Sequence, residues 1–383
     1  MTGMKLLVYA ANLHVGGGIQ VATSVIYELS RSSPRPTGVS VWASSAVHAN
    51  LKQLGFKSTA FDDYEVVDHR GLSTMWSGAA ARMADYDGVL VIFGPLYVVH
   101  QPGLSVVGFA QPWIIYPDNE VQRNLTWPKQ WLTRLKYWVQ GVFFRRADVL
   151  LVELEHVRLG LIREGIATLD QIRVVHNCLS SIYLQPEHWQ PITLPDSGGR
   201  LRLGFVGRNY SHKNTAIFPE VRASLLRKHG LEVDIYVTFT DDEWLACAPG
   251  FRQAVRNAGP LSVAQCPNFY RAMDGVLFPS LLECFSATPL EAMAMERPLF
   301  ASDRPFIRDV CEEHAHYFDP MDPEDVADSI ARCLKSDRNG PRLAAARERA
   351  LVYADAAGRA RQYLESLEQA VKHKRQYEVF EDV

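Results

Sequence analysis

Short apolar segments alternate with helix-like segments along the chain. A buried strand of a parallel sheet is expected as a short, mostly apolar run, and six such runs lie before residue 178. These runs are KLLVYAA, VSVWAS, GVLVIFG, SVVGFAQ, VLLVELE and IRVVHN. Polar or helix-like sequence follows each run, which predicts a first α/β domain built on a parallel sheet.

A segment rich in proline and glycine separates this domain from a second one. Residues 183–199 read YLQPEHWQPITLPDSGG and show no sustained periodicity, which is typical of a linker. The strands of a second sheet are predicted at LRLGFVGR, LEVDIYVTF, DGVLFPS and RPLFAS. Residues 342–374 are rich in alanine, glutamate, arginine and leucine, which favours one or two long helices.

These patterns predict the domain organisation of the 383-residue chain. The predicted parts are an N-terminal Rossmann-like domain (1–183), a linker (184–199), a C-terminal domain (200–345) and a helical tail (346–383) that crosses back towards the first domain. Ligands of open α/β sheets bind at the carboxyl ends of the strands. We therefore expect two doubly wound domains facing a central cleft that holds the functional residues.

Composition narrows the class of protein. A hydrophobic content of 47% and a net charge of -3 are typical of a soluble globular protein and argue against a broad nucleic-acid-binding surface. The six cysteines include no CxxC pair, so the sequence indicates neither a zinc site nor a disulfide framework, and a cytoplasmic location fits best. The N-terminal apolar run lacks a signal-peptide cleavage pattern, and no window is apolar enough to span a membrane. Any membrane contact is therefore expected to be peripheral, on the inner face of the plasma membrane.

Three consecutive glycines follow the first predicted strand. Gly16, Gly17 and Gly18 stand between this strand and a helix whose apolar residues recur at helical spacing. Glycine lets the backbone approach a ligand closely, and a helix N-terminus offers free N–H groups to a phosphate. The segment matches neither GxGxxG nor a Walker motif, so two interpretations stay open: a ligand-binding loop, or only a tight turn.

Two cations lie at the start of the second predicted domain. In GFVGRNYSHKNT, Arg208 and Lys213 follow a predicted strand. Positive charges at the carboxyl end of a strand can neutralise a diphosphate and stabilise it as a leaving group. The alternative interpretation is that both are solvated surface charges.

Two acids in a mostly apolar segment are the third candidate. In PSLLECFSATPLEAMAMERP, Glu283 is predicted in a strand-to-helix loop, and Pro289 is predicted as the first residue of the helix, with Glu291 in its first turn. Glu291 could simply complement the helix dipole. Carboxylates also accept hydrogen bonds from vicinal hydroxyls, so one could hold a ribose and the other a sugar ring beside a diphosphate.

Together these segments resemble a known family. Glu283 and Glu291 form an E-x7-E motif, and FPSLLECFSATPLEAMAMERPLFASD is similar to the nucleotide-sugar site of retaining GT-B glycosyltransferases of the family-4 type. The glycine loop, VVHNCLS before the linker, FVGR with a following lysine, and DPEDVADSI after the motif extend the resemblance over most of the chain. Many bacterial members of this family extend lipid-linked glycans.

The resemblance implies a role for each matching residue. The implied catalytic residues are Arg208, Lys213 and Glu283, and the implied donor-binding residues are Gly16, Gly17, Gly18, Phe285, Ser286, Ala287, Thr288 and Glu291. In this scheme the two cations bind the donor diphosphate, Glu283 holds the transferred sugar and Glu291 holds the ribose. Retention is ascribed in this family to same-face attack assisted by the leaving diphosphate, so the resemblance implies no enzyme nucleophile.

No metal or other cofactor is expected, because Arg208 and Lys213 would supply the positive charge that a metal provides. Asp85 and Asp87 are spaced like the Asp-x-Asp metal motif of other glycosyltransferases. They precede a strand rather than end one, which is the wrong end for a ligand, so we expect them to be solvated.

The chain departs from the family pattern at three positions. Ser286 stands where glycine is common, and Cys178 stands where a glycine follows the asparagine before the linker. Many members carry a histidine near the donor sugar, where this chain has Gln111, which can donate a hydrogen bond but cannot act as a base. The candidates for the acceptor side are Gln111, His14 and His100, and a structural role is the alternative for each histidine.

A basic, aromatic segment covers residues 126–146. It contains five basic residues and no acid, and as a helix it collects leucine, tryptophan and valine on one face. This pattern is typical of a helix in an anionic membrane interface. A helix that faces the core and has a basic outer surface is the alternative.

The functional prediction is a retaining, metal-independent glycosyltransferase. Its donor would be a nucleotide-diphosphate sugar with a hexose-type group, and its acceptor a glycan or lipid-linked glycan of lipopolysaccharide, O-antigen or capsule assembly. A nucleotide-sugar epimerase of the same fold would need an acid/base pair, and a noncatalytic subunit would not need the four charged residues of the candidate site.

Overall fold

The structure, a computed structural model, describes residues 3–100, 103–335 and 340–381. The strands are β1 (Leu6–Ala10), β2 (Val39–Ala43), β3 (Asp63–Val66), β4 (Gly88–Val91), β5 (Ser105–Gly108), β6 (Val149–Val152), β7 (Ile172–Val174), β8 (Leu201–Gly204), β9 (Val233–Val237), β10 (Val255–Asn257), β11 (Gly275–Phe278), β12 (Leu299–Ser302) and β13 (His316–Phe318).

The helices are α1 (Gly17–Arg31), α2 (Ser45–Gln53), α3 (Ala79–Met83), α4 (Pro112–Ile115), α5 (Glu120–Arg123), α6 (Trp127–Phe144), α7 (Glu155–Arg163), α8 (Phe218–His229), α9 (Asp241–Ala246), α10 (Pro249–Ala254), α11 (Cys266–Arg271), α12 (Ala287–Ala294), α13 (Pro305–Cys311), α14 (Pro323–Lys335), α15 (Gly340–Leu351) and α16 (Ala356–Glu381). Short 3-10 turns cover Ser58–Ala60, Gly71–Trp76, Leu169–Gln171, Ser181–Leu184, Pro186–His188, Ser211–Lys213 and Thr215–Ile217.

The chain forms two compact units. The first contains residues up to 117, residues 126–177 and the chain from residue 355 onward, and the second contains residues 118–125 and 178–354. Each unit has one sheet. The sheet orders are β3-β2-β1-β4-β5-β6-β7 and β10-β9-β8-β11-β12-β13, and all strand pairs are parallel. The prediction of two doubly wound α/β sheets is confirmed.

The core of the first unit lies between its sheet and the helices α1, α2 and α16. Strands β1, β2 and β4 are buried on both faces, which explains why their sequences are apolar except for Ser40 in β2. The last helix contributes Tyr363, Leu367 and Val371 to this core. A Cβ atom on Gly88 would lie only 2.7 Å from a methyl carbon of Val371, so a larger residue at the start of β4 would displace α16.

The structure divides the chain differently from the expected boundaries. Residues 184–199, expected as a linker, group with the second unit, where the amide N–H of Gln190 donates to the Ala264 carbonyl at 2.9 Å. Residues 118–125, expected in the first domain, also group with the second unit. Within it, Glu120 and Arg304 form an ion pair at 2.6 Å.

Candidate active site

A glycine turn directs the chain after β8 to the carboxyl end of the second sheet. Gly207 has φ +152°, which L-residues rarely adopt, and its N–H donates to the Thr238 hydroxyl at 3.1 Å. A Cβ atom there would approach the Phe205 ring to 3.1 Å. This turn leads directly into Arg208.

Arg208 lies on the surface of the second unit and pairs with an acid that the sequence did not single out. Its Nε atom lies 2.7 Å from Oε1 of Glu243, and its side chain is 55% exposed. Glu243 also accepts from the Thr240 and Asn209 amides, so it fixes both the start of α9 and the loop that carries Arg208. Burial opposes ionisation of Glu243, but the hydrogen bonds from Arg208 and these amides outweigh it and lower the pKa.

Lys213 and Glu283 form a largely buried ion pair. Lys213 Nζ lies 2.5 Å from Glu283 Oε1, and the Ser280 hydroxyl donates to the same oxygen at 2.8 Å. The Leu281 amide donates to the His212 carbonyl at 2.8 Å, which joins the loop after β11 to the 3-10 turn that carries Lys213. The fold thus brings together a cation and a carboxylate that are 70 residues apart in sequence.

His212 is a neighbour of this pair that the sequence did not single out. Its Nε2 atom lies 3.9 Å from Oε1 of Glu283, and its ring stacks on Tyr210 at 5.6 Å. Burial lowers the pKa of His212, and the nearby Lys213 charge lowers it further, against the opposing effect of Glu283. The imidazole is therefore favoured in its neutral form beside the pair.

Helix α12 starts two residues earlier than expected. Ser286 is its N-cap with extended backbone, and the helix runs from Ala287, so Pro289 is its third residue and not its first. Proline is tolerated there because the first N–H groups of a helix have no intrahelical acceptor. Glu291 is consequently the fifth residue, in the second turn, which corrects its expected position in the first turn and weakens the helix-dipole interpretation.

The N-terminus of α12 adjoins the glycine turn after β8. Phe285, Ser286 and Ala287 are partly buried, Thr288 is buried, and the Thr288 hydroxyl lies 3.5 Å from the Val206 carbonyl oxygen. The open first turn of this helix therefore lies within the second unit beside the loop that leads to Arg208.

Glu291 is held by a tyrosine hydroxyl, with a second tyrosine nearby. The Tyr270 hydroxyl donates to Glu291 Oε2 at 2.7 Å, and the ring of Tyr183 lies 6.1 Å from that of Tyr270. Burial raises the pKa of Glu291, whereas the two tyrosines and the charge of Lys213 act in the opposite direction. Neither tyrosine belongs to the motif, and Tyr183 lies at the edge of the segment expected as a linker.

The candidate glycine loop of the first unit caps α1. Gly16 has φ +78° and is the N-cap residue, a left-handed conformation that favours glycine. No atom lies within 4 Å of a Cβ built on Gly16 or Gly17, whereas a Cβ on Gly18 would meet Leu13 at 3.3 Å. The positive φ of the turn alone explains why residue 16 is glycine, and packing against Leu13 explains why residue 18 is glycine.

The acceptor-side candidates lie in three different connecting segments of the first unit, after β1, after β4 and after β5. His14 bonds the His69 carbonyl oxygen through Nε2 at 2.8 Å and lies 3.5 Å from Asp68. Gln111 is the N-cap residue of α4 and is partly buried, and His100 is exposed in a loop. His14 thus has structural partners.

Asp85 and Asp87 differ from each other. Asp85 is exposed, as expected, but Asp87 is partly buried, accepts from the Lys5 amide at 2.8 Å and pairs with Arg375 of α16 at 2.6 Å. The expectation that Asp87 is solvated is therefore wrong, because its carboxylate joins α16 to the backbone just before β1. Among the described residues, one group has metal-ligand spacing, formed by Glu312, Glu313 and His314 after α13.

Helix α6 exposes a broad apolar surface. Trp127, Trp131 and Trp138 are 75%, 59% and 62% exposed. The other exposed apolar residues of this helix are Leu132, Leu135 and Val142. The alternative of a core-facing apolar side is therefore wrong, since the residues that pack inward are Gln140, Gly141 and Phe144. No helix in the described ranges is both long and apolar enough to cross a membrane.

The second unit matches a family model, and the fold matches solved structures. Residues 200–336 match the family model described as glycosyl transferases group 1. The two doubly wound units match solved structures with the GT-B fold, and together these findings support a GT-B glycosyltransferase.

Three solved structures illustrate the likeness in fold. HepE from Anabaena, solved with UDP-glucose, superposes with a TM-score of 0.69 at 15% identity, covering 96% of this chain and 100% of that one. Sucrose-phosphate synthase from Thermosynechococcus elongatus gives 0.68 at 15% identity, covering 95% and 98%. A glycosyltransferase from Rickettsia africae gives 0.67 at 14% identity, covering 96% and 99%. No curated protein sequence matches the chain significantly.

Proposed function

We propose that the chain is a retaining, metal-independent glycosyltransferase of the family-4 type. It moves a hexose-type sugar from a nucleotide-diphosphate sugar to a glycan or lipid-linked glycan acceptor in lipopolysaccharide, O-antigen or capsule assembly. The observation that carries the proposal is the Lys213–Glu283 pair beside the open N-terminus of α12, within the segment that matches the glycosyltransferase family model.

The second unit offers complementary charge to each part of such a donor. Lys213 and Arg208 would balance the charge that develops on the departing diphosphate, and the first-turn N–H groups of α12 would bind its oxygens. Lys213 would exchange a carboxylate oxygen for a phosphate oxygen. That exchange leaves Glu283 able to accept hydrogen bonds from hydroxyls of the transferred sugar.

The proposed mechanism retains the anomeric configuration, as the resemblance to the family implies. The acceptor hydroxyl attacks the anomeric carbon from the face that the diphosphate leaves, and the departing phosphate oxygen takes the hydroxyl proton. Cations that stabilise the diphosphate thereby promote both departure of the leaving group and the transfer. Glu283 and Glu291 then act as ligands for hydroxyls, and neither forms a covalent intermediate.

The donor is tested by titrating nucleotide sugars. Because the HepE structure contains UDP-glucose, that compound is the first probe, followed by GDP- and ADP-linked hexoses. A donor whose free concentration is 100 times its Kd should raise the free energy of unfolding by about 2.7 kcal/mol. Turnover is measured as release of the nucleoside diphosphate, with and without excess EDTA.

Each outcome of this experiment decides a part of the proposal. We expect one donor class to bind, turnover to persist in EDTA, and the product to retain the anomeric configuration. Loss of turnover that Mg²⁺ or Mn²⁺ restores would overturn metal independence. Release of a free or altered sugar without a glycoside product would favour the epimerase, and donor binding to none of the probes would favour the noncatalytic subunit.

We also propose that α6 attaches the protein to an anionic membrane surface. The exposed tryptophans can lie at the depth of the lipid headgroups, and the helix segment from 126 to 146 has five basic residues and no acid. This charge complements anionic lipids. Such attachment would bring the protein to the surface where a lipid-linked acceptor resides.

A further inference from the structure

The carboxylate of Glu291 lies in a pocket of phenol hydroxyls within the second unit. Tyr270, which donates to the carboxylate, belongs to α11, and Tyr183, which influences the pKa of the same group, belongs to the 3-10 turn Ser181–Leu184. The two aromatic rings lie 6.1 Å apart. Tyr183 is 5% exposed and Tyr270 is fully buried, so neither hydroxyl is solvated like a surface tyrosine.

We propose that Tyr270 and Tyr183 are positioning residues that keep Glu291 an oriented carboxylate, ready to accept hydrogen bonds from the two ribose hydroxyls of the donor. The inference rests on the proposed function. It adds that the 3-10 turn Ser181–Leu184 contributes to the ribose site through Tyr183.

The chemistry requires such donors. A ribose diol donates two hydrogen bonds to an ionised carboxylate, whereas a protonated carboxyl group would have to donate one of its own. Burial raises the pKa of Glu291 above its usual value, and the hydroxyl donors act against this shift, so they favour the ionised form. Burial beside Glu291 raises the pKa of both tyrosines, so they keep their protons and remain donors.

The other titratable groups near Glu291 do not replace the tyrosines. Lys213 favours the ionised carboxylate from the 3-10 turn Ser211–Lys213, but in this structure it is bonded to Glu283. Cys266, the first residue of α11, is partly buried, and burial raises the pKa of its thiol to about 12. A neutral thiol is a weak donor, so the phenols are the principal donors on this side.

The experiment measures nucleoside diphosphate binding as a function of pH. Tyr270→Phe and Tyr183→Phe each remove only one hydroxyl, and UDP, GDP and ADP are titrated against the full chain from about pH 5.5 to 8.5. We compare the ratio of the variant Kd to the wild-type Kd at each pH, because the terminal phosphate of the ligand itself titrates near pH 6. Thermal melting of each variant checks the fold.

We expect each variant to bind roughly tenfold more weakly near pH 6 and to approach wild-type affinity at high pH. Losing a hydroxyl raises the pKa of Glu291, and the carboxylate is recovered only at higher pH. When the probe is a 2′,3′-dideoxynucleoside diphosphate, the variants and the wild-type protein should bind it with the same Kd. This probe offers no ribose hydroxyl to the carboxylate.

Two control variants separate this inference from the proposed function. Tyr236→Phe removes a buried hydroxyl that donates to the Pro195 carbonyl at 3.3 Å, and it should bind like wild type at every pH. Glu291→Gln should bind weakly at every pH. If Glu291→Gln binds like wild type, the proposed ribose site is wrong. If Glu291→Gln is weak but both phenylalanine variants show no loss, or a loss that is the same at all pH values, the positioning role is wrong and the donor site stands.

Discussion

At the residue scale, the two carboxylates of the E-x7-E motif have different surroundings. Glu283 is bonded to a cation and a serine hydroxyl, whereas Glu291 accepts from the Tyr270 hydroxyl and has Tyr183 nearby. Glu283 is thus paired with a charged group, whereas Glu291 accepts from a neutral hydroxyl group. This difference supports separate functions for the two acids.

The two glutamates should therefore fail differently when each is replaced. Glu291→Gln should weaken the donor and the free nucleoside diphosphate alike, because both contain the ribose. Glu283→Gln should leave nucleoside diphosphate affinity nearly unchanged and lower kcat, because contacts to the sugar matter most as positive charge develops on it. Calorimetric titration beside steady-state kinetics separates the two roles. Equal losses of nucleotide affinity in both variants would contradict this assignment.

The two cations should contribute mainly to kcat. Lys213→Ala and Arg208→Ala each remove one preorganised charge from the departing diphosphate, and a loss of roughly 10² to 10³ in kcat is expected for each. Arg227→Ala is a matched control, since Arg227 is 58% exposed and pairs with Glu324 at 2.7 Å, much as Arg208 pairs with Glu243. Steady-state kinetics with folded variants tests this, and near-wild-type turnover of both would refute it.

The sequence identified the charged candidates of the second unit but not their partners. Arg208, Lys213, Glu283 and Glu291 stand in recognisable local segments. Glu243 and Tyr270, which hold two of them, lie 35 and 21 residues away in sequence. Only the fold brings such distant groups together. The sequence around a single tyrosine or glutamate in an amphipathic segment does not indicate which residue it contacts.

At the element scale, the central strands and the edge strand β7 were predictable, whereas the other three edge strands were not. All ten predicted strands occur, each within its apolar run. The three missed strands are β3, β10 and β13, and each lies at an edge of its sheet. An edge strand has one neighbour and is partly solvated, so its sequence need not be apolar, as the segment DYEV in β3 illustrates.

The helix α6 was predictable, but its surroundings were not. Its pattern predicts an amphipathic helix, and such a pattern is compatible with either a core or a membrane. Its three tryptophans are exposed, so those residues do not belong to the core. The exposed apolar side chains of α6 are not covered by the described part of the chain, and the five basic residues of the segment 126–146 indicate an anionic partner.

Attachment through α6 should depend on lipid charge. Each lysine or arginine near an anionic surface contributes about 1 kcal/mol, so the wild-type protein should sediment with anionic liposomes at low salt and be released as salt screens the charges. Changing Lys129, Arg134 and Lys136 to glutamine should weaken binding strongly. Cosedimentation with anionic and neutral vesicles measures it.

A matched charge change elsewhere controls for net charge. Arg31, Lys52 and Lys57 are exposed residues of the first unit outside α6, and their replacement by glutamine should leave liposome binding nearly unchanged. Equal binding to neutral and anionic vesicles, or an equal loss in the two triple variants, would show that α6 is not the contact surface.

At the scale of the whole molecule, the chain starts and ends in the same unit. Helix α16 completes the core of the first unit, and the Arg359 side chain bonds to Asn177, the last residue of that unit before the chain enters the second. The stability of the first unit therefore depends on segments almost 200 residues apart in sequence. Charged groups buried where these segments meet should influence its unfolding.

Glu153 is the buried acid at this junction. It directly follows β6 and is 5% exposed, and burial raises its pKa to about 7, although Arg359 and Asn177 act in the opposite direction. The ordinary value is 4.5, so the folded state binds a proton that the unfolded state releases between these two pH values. Its contribution to stability is complete below about pH 4.5 and is lost as the pH rises through 7.

We therefore expect the first unit to become less stable as the pH rises from 5 to 8, and Glu153 to cause much of that change. The pKa shift from 4.5 to about 7 corresponds to a loss of about 3 kcal/mol in the free energy of unfolding across these pH values. Glu153→Gln cannot ionise, so it should melt with a flatter dependence on pH and be more stable than wild type at pH 8. Glu155→Gln, two residues along in an exposed ion pair with Arg158, should keep the wild-type dependence. Calorimetric melting of the three proteins across this range is the measurement, and an unchanged slope in Glu153→Gln would show that Glu153 is already ionised in the folded state.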